Sequence, residues 1–279
     1  MSANRLEIAS PPDLAVAPSH DYRVVKIAPD AATPGTRTLA NETAVAMEFD
    51  GQPYAVMMLS PADYEDFAVG FALSERIVDK ASDIARIDVR HGTRGTAVDV
   101  RLEREHSQRL IERRRAIPGA SGCGICGLTT IEEALPKLPP LTAAPRVAPK
   151  ALFAALSALP LRQSLNQATG AVHAAAFCRT DGSIVALRED VGRHNAFDKV
   201  IGHLARAGID PASGFALLTS RCSFELAQKA VIARIPLLVT ISAPTELAVT
   251  IARDTKLTLV ALARGDSVLL FNDPFAVFN

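Results

Sequence analysis

The chain has 279 residues, enough for one large domain or two small ones with a sizeable core, and at 48% hydrophobic residues it belongs among globular proteins and not disordered ones. Aromatics stand at 5% with no Trp, which leaves no stacking platform for single-stranded nucleic acid. Lys plus Arg and Asp plus Glu number 30 each, so no overall field favours DNA, RNA or an acidic membrane surface, and any bound anion needs a local site.

Residues 1–36 are rich in Ala and Pro without lasting periodicity and are expected to form a mobile tail. The opening MSANRLEIASPPDLAVAP lacks the basic start and continuous apolar block of a secretory peptide, and no apolar run is long enough to cross a bilayer. The expected compartment is therefore cytoplasmic. TAVAMEFDGQPYAVMML gives two strands around Asp50-Gly51, a strong hairpin signal. Ser60-Pro61 predicts a helix start, with Asp63, Glu65 and Asp66 in the first turns. IARIDVR and TAVDVRLE read as two further strands joined by the turn His91–Gly95, and the basic amphipathic segment SQRLIERRRAI follows. Residues 37–116 thus predict a smaller N-terminal α+β subdomain.

Regular structure is expected to stop at IPGASGCGICGLT, where four glycines fall in thirteen residues. TIEEAL predicts a short helix that leads into the Pro-rich linker LPKLPPLTAAPRVAP, so residues 117–149 separate the two halves. From 150 to 279, helices and strands alternate. A helix over Lys150–Leu159 precedes strands at VHAAAF and SIVALRE, then the helix NAFDKVIGHLARAG and the strand FALLTS. The helix FELAQKAVIARI, the strand PLLVTIS, the helix TELAVTIARD and the strands KLTLVALA and SVLLFN complete the chain. Nearly continuous apolar runs in three of these strands predict burial on both faces. The expected architecture is an α/β three-layer sandwich with a parallel or mixed sheet.

Four cysteines, two in a CxxC and two alone, do not make a disulfide framework at this length. The pair Cys123 and Cys126 admits four readings: half of a zinc or iron–sulfur site, a thioredoxin-like redox pair, incidental thiols, or a swinging thiol nucleophile. A closed zinc site needs four ligands, and the spacing of Cys178, Cys222, His173 and His194 supplies no second pair. A redox pair wants fixed geometry at a helix start, whereas glycine stands before, between and after these two cysteines. A thiolate that attacks a donor persulfide needs exposure and reach, which a glycine-flanked loop provides, and Arg113, Arg114 and Arg115 lie just upstream.

Three strand-to-helix corners are further candidates. REDVGRHNAFDK places Arg193 and His194 at a helix start with Lys199 behind them, which suits an anion; the alternatives are a His194–Asp198 metal pair and a purely structural role, with Asp190 as helix cap. TSRCSFELAQK offers Ser223 as N-cap, Glu225 in the first turn and Arg221 at the strand's carboxyl end, while Cys222 reads as a small packed residue. In SAPTEL, Pro244 is expected in the first helical turn. LARGDS, Leu262–Ser267, reads as the turn between the last two strands. There Gly265 permits close backbone approach and Arg264 offers a cation to phosphate.

Taken in order, SGCGICG, GAVHAAAF, REDVGRHNAFDKVIG, TSRCSFELAQKA, IPLLVTISAPTELAV and KLTLVALARG resemble the formate dehydrogenase accessory sulfurtransferase (FdhD) family, and PADYEDFAVGFALSERIV resembles its N-terminal helix. The resemblance covers roughly residues 38–272. It implies a sulfur carrier that accepts persulfide sulfur from a cysteine desulfurase and passes it to the bis-molybdopterin guanine dinucleotide cofactor of formate dehydrogenase. It also implies a cytidine-deaminase-like C-terminal fold, a homodimer and guanine nucleotide binding (GDP as a mimic), while the absence of a full ligand set in the sequence leads to the expectation of no tightly bound metal. By motif position, Cys123 carries the persulfide with Cys126 as its neighbour. The cofactor contacts fall by the same resemblance on Leu262, Ala263, Arg264, Gly265, Asp266 and Ser267, and the anion site read from the helix start adds Arg193 and His194 to the expected contacts. Two positions depart from the family pattern: Arg76 stands where a glycine is usual, and Leu262 where an aromatic is frequent. No H-x-E or P-C-x-x-C signature of deaminase zinc chemistry is present.

Overall fold

The computed structural model describes residues 15–103 and 135–278. Cys123, Cys126, the three arginines upstream and most of TIEEAL lie outside the described residues. The chain opens with a two-stranded antiparallel ribbon, β1 (Ser19–Ala28) and β2 (Ala31–Ala40), turned by Pro29-Asp30. Over residues 19–36 this corrects the expected tail, whose first 14 residues lie outside the described residues. Both strands are almost wholly exposed, so they carry no buried alternating face and left no period-two signal to read. Arg37 anchors the ribbon to the rest of the chain by donating to the Thr169 carbonyl at 2.9 Å.

β3 (Thr43–Phe49) and β4 (Gln52–Leu59) form the expected hairpin. Asp50 and Gly51 both take positive φ (51° and 73°), the left-handed pair that a two-residue turn between twisted strands requires. With β5 (Ile84–Gly92) and β6 (Gly95–Leu102) they make a four-stranded sheet in the order β4-β3-β6-β5. Val45, Met47, Phe49, Val98 and Val100 line its inner face and bury against Phe67 and Phe71 of α1 (Tyr64–Ser74). The helix begins three residues after Pro61, with Asp63 as its N-cap. Arg76, in the position the resemblance reserves for glycine, sits at φ 56° just past the helix end. A side chain in this left-handed region costs roughly 1–2 kcal/mol.

The second sheet is mixed, in the order β12-β11-β10-β9-β7-β8. β9 (Gly214–Leu218), β10 (Leu237–Thr240) and β11 (Thr258–Ala261) are parallel, while β7 (His173–Arg179), β8 (Ile184–Asp190) and β12 (Leu269–Asn272) are antiparallel to their neighbours. Successive side chains of a strand point to opposite faces. Accordingly Phe177, Ala216, Leu218, Leu238 and Leu259 bury in one core, and Cys178, Phe215, Leu217, Leu237 and Val260 in the other. α2 (Pro149–Arg162) contributes to the second core, with the short α3 (Ser164–Thr169) following it. α4 (Arg193–Ala207), α5 (Phe224–Ile232) and α6 (Glu246–Asp254) contribute to the first. Helices thus cover both faces, as the continuous apolar strands predict.

The two sheets are joined through α1 and α4, which cross at glycines. A Cβ on Gly70 would lie 1.8 Å from the Asp198 carbonyl oxygen, and one on Gly202 would lie 1.8 Å from that of Asp66. Fully buried charges lock this crossing. Asp190 pairs with Lys199 at 2.7 Å and accepts from the Ser60 amide at 3.0 Å, and Lys199 also donates to the Ser60 carbonyl at 3.1 Å. Asn195 donates to Met58 O at 2.8 Å. Nearby, the Lys229 ammonium meets both Asp198 oxygens at 2.9 Å. Burial works against this charge, but Asp198 and then Glu75 outweigh it, and the Lys229 pKa is raised.

Candidate functional site

Because β9, β10 and β11 run parallel, their carboxyl ends fall on one edge of the sheet, where ligands collect in α/β folds. β7 starts and β8 ends on the same edge, so α4, α5 and α6 all begin there. The two segments singled out in the sequence, Arg193-His194 and Leu262–Ser267, therefore share this edge. His194 reaches across to the start of α5 behind β9, and the Leu262–Ser267 turn follows β11, two strands along the same edge. A ligand laid along the edge meets both.

Backbone contacts stitch the edge together. Ser242 N donates to Ser220 O at 3.4 Å, and Leu262 N donates to Ser242 O at 3.2 Å. Cys222 N donates to Ala243 O at 3.2 Å and Thr245 N to Cys222 O at 2.9 Å, which brings the starts of α5 and α6 side by side. Thr245 is the cap of α6 and accepts from the Ala248 amide, so Pro244 precedes the cap and is not in the first turn as expected. A proline beyond the cap still removes no helical hydrogen bond.

At the α4 start, Gly192 is the N-cap and Arg193 the first helical residue. Asp190 is not the cap. It sits before it, accepts from Gly192 N at 2.8 Å and Asn195 Nδ2 at 3.0 Å, and is consumed by Lys199. Lys199 is fully buried in that pair and cannot meet an external anion. Asp198 is equally committed, to Lys229 and Ser74, so the His194–Asp198 metal pair does not form. His194 instead places Nε2 3.0 Å from Glu225 Oε2 and 3.4 Å from Ser223 Oγ, and Ser223 donates to Glu225 at 3.1 Å. The His194 hydrogen bond holds the Glu225 carboxyl below its usual range against the opposing effect of burial, aided by the charges of His194 and Arg193 and by Ser223. His173, at the start of β7, is pushed down by burial and then by Arg193 and His194. It is therefore uncharged at neutral pH.

The Leu262–Ser267 turn joins β11 to β12. Leu262 takes φ 51°, a left-handed conformation that is uncommon for a bulky residue. Ala263 is buried in the second core and offers a ligand only its main chain. Arg264, Gly265, Asp266 and Ser267 are exposed, and a Cβ on Gly265 meets nothing within 4 Å among the described residues. The Arg264 guanidinium donates to the Ile241 carbonyl, which leaves its remaining N–H groups at the edge. Glu225 as partner of His194 was not legible in the sequence, because the 30 residues between them carry no periodicity that signals the contact.

Cys178 and Cys222 are both fully buried, and burial pushes each thiol up to about 12, with Asp181 adding to the shift at Cys178. Neither is a thiolate at neutral pH. Among the described residues no group of three or more His, Cys, Asp or Glu side chains is placed to hold a metal ion. Purified protein is expected to contain well under one equivalent of zinc or iron per chain by elemental analysis. A stoichiometric metal that disappears when Cys123 and Cys126 are both replaced would contradict this.

Residues 40–278 match the FdhD/NarQ family. Sulfur carrier protein FdhD of Xanthomonas axonopodis pv. citri (strain 306) is 48% identical over 236 residues, covering 85% of this chain and 84% of that protein. The protein of the same name from Bordetella bronchiseptica is 42% identical, with 85% and 86% covered. Among solved structures, one from Desulfotalea psychrophila, described as a formate dehydrogenase accessory protein, superposes with a TM-score of 0.75 at 23% identity, over 94% of this chain and 99% of that one.

Proposed function

The chain belongs to the FdhD/NarQ family, and on that premise we propose that it is a sulfur carrier required for formate dehydrogenase activity. In this reading Cys123 takes persulfide sulfur from a cysteine desulfurase, and the acceptor is the bis-molybdopterin guanine dinucleotide cofactor. The observation that carries the assignment of the thiol is elimination. Of four cysteines, Cys178 and Cys222 are buried with thiols raised to about 12, so sulfur chemistry falls to the glycine-flanked pair Cys123 and Cys126. The relatives' shared description as sulfur carrier proteins supports the same reading. Intact-mass measurement after incubation with a cysteine desulfurase and cysteine tests it, with one added sulfur expected.

The acceptor cofactor is elongated and carries phosphates and guanine, which suits an edge that bears Arg193 and His194 at one helix start and Arg264 in the turn after β11. Arg193 and His194 bind one end and the Leu262–Ser267 turn the other, Ala263 through its main chain. GDP, as a fragment of that acceptor, should raise the melting temperature more than ADP does. At a hundredfold excess over its dissociation constant the gain is about 2.7 kcal/mol, or roughly 5–10 °C for a chain of this size. Arg193→Ala should remove most of it, and equal shifts for the two nucleotides would contradict guanine recognition. A cofactor-binding chaperone without sulfur chemistry is the second reading; the thiol pair favours the first, because holding a cofactor needs no nucleophile.

The remaining features of the proposal are a homodimer, in keeping with the usual twofold symmetry of soluble oligomers, a cytoplasmic location, and a cytidine-deaminase-like designation for the six-stranded sheet. No helix among the described residues is long and apolar enough to cross a membrane.

A further inference from the structure

We infer that Arg221 is a further binding residue of the carboxyl edge, and that it takes the diphosphate of the nucleotide between Arg193 on one side and the Leu262–Ser267 turn on the other. The inference rests on the nucleotide reading given above and deepens it by naming the group that holds the diphosphate. Arg221 lies in the short link between β9 and α5, two residues before the cap Ser223. On one side His194, at the start of α4, approaches that cap to 3.4 Å. On the other side Ser220 O accepts from Ser242 N, and Ser242 O accepts from Leu262 N at the head of the turn. Arg221 therefore stands in the middle of the edge, between the two segments assigned to the ligand.

The backbone that carries it is held from both sides. Thr219 N donates to Ala174 O at 3.0 Å, Ser220 Oγ to Arg221 O at 3.0 Å, and Cys222 N to Ala243 O at 3.2 Å. Ser220 and Cys222 are buried, at 4% and 0% exposure, whereas Arg221 between them is exposed. Among the described residues its guanidinium has no ion pair and no hydrogen bond, in contrast to Arg264, which is tied to the carbonyls of Ile241 and Ala263. Glu225, the acid nearest in sequence, is engaged by His194 and Ser223. Arg179, Arg234 and Lys256, which flank the same strands, sit at the opposite edge of the sheet. Arg221 thus binds an anion without first giving up a bond. A guanidinium suits this one, because its planar fork donates two parallel N–H bonds to oxygens of one phosphate or of two neighbouring ones. The acceptor cofactor carries its diphosphate between the pterin part and the guanosine, so the cation in the middle of the edge is the one placed for it. In GDP the same placement sets guanosine at the turn, the diphosphate at Arg221 and its outer phosphate toward Arg193.

The test is isothermal titration calorimetry of the full-length protein with GDP, GMP, guanosine and ADP. Arg221→Ala should bind GDP roughly tenfold to a hundredfold more weakly, the scale of hydrogen bonds to a charged group, and GMP about tenfold more weakly. Guanosine, which has no phosphate, should bind it as it binds the wild type. Arg193→Ala should differ, with a larger loss for GDP than for GMP. Arg221→Lys should recover part of the affinity, because it keeps the charge but not the fork. The GDP affinity of Arg221→Ala should also fall less steeply with salt than that of the wild type. Wild-type GDP affinity in Arg221→Ala would overturn the inference, as would an equal loss for guanosine and GDP. If that variant does not fold, wild-type GDP affinity in Arg221→Gln overturns it just as well. Failure of the underlying reading looks different. A wild type that binds no GDP, or binds GDP no better than ADP, defeats the nucleotide reading itself. GDP preferred over ADP and weakened by Arg193→Ala, but indifferent to Arg221, defeats only the role given to Arg221.

Discussion

Lys199→Met should lower stability by about 3–5 kcal/mol, because it leaves the Asp190 carboxylate buried without its ammonium. At roughly 2–4 °C per kcal/mol, this is a fall of about 6–20 °C in melting temperature. Asp190 and Lys199 are both fully buried at 2.7 Å, and between them they hold the Ser60 amide and carbonyl that lead into α1. A purely packing role would make the loss small, since Met fills nearly the same volume. The double variant Lys199→Met with Asp190→Asn should recover part of the loss, because no uncompensated charge remains. Gly202→Ala attacks the same crossing through the backbone. Its Cβ would need to displace the Asp66 carbonyl, now 1.8 Å from that position, and lift α1 off α4. Thermal unfolding of the three variants checks this. A Lys199→Met protein that melts with the wild type would show that the pair does not lock the two sheets together.

This latch also explains what the sequence made legible and what it did not. Strands buried on both faces announced themselves as unbroken apolar runs, and FALLTS, PLLVTIS and KLTLVALA fall on β9, β10 and β11. Asp50-Gly51 marked its turn because two successive left-handed residues leave little choice of residue type. The ribbon of residues 19–40 did not announce itself: it buries almost nothing, so hydrophobic patterning has nothing to report. REDVGRHNAFDK was visible as a cluster, but its division of labour was not. Asp190, Asn195, Asp198 and Lys199 turn inward to fasten α1 and the N-terminal sheet, while Arg193 and His194 remain at the edge. That division depends on the partners Ser60, Met58 and Lys229, which are remote in sequence and carry no spacing signal. Arg76 and Leu262, both departures from the family pattern, lie at positive φ, so at Arg76 the backbone keeps a conformation suited to the glycine that is missing.

Cys123→Ser is expected to abolish both persulfide formation and activation of formate dehydrogenase. A hydroxyl is not ionised at neutral pH and cannot attack a donor persulfide, and the two thiols left outside the pair are buried, with pKa values of about 12. Neither Cys178 nor Cys222 can substitute. Cys126→Ser should act differently. It removes the neighbour whose thiolate can attack the persulfide, a step that joins the two cysteines in a disulfide and releases the outer sulfur as hydrosulfide. This variant should still take up one sulfur and keep it longer, while client activation falls only in part. Gly124→Pro should impair transfer with little change in melting temperature, because it stiffens a segment whose glycines the sequence reads as a loop. Intact mass and formate dehydrogenase activity on the three variants separate the readings. If Cys123→Ser loses the added sulfur yet activates the client normally, sulfur transfer through this thiol is not the function, and cofactor holding along the carboxyl edge is what remains.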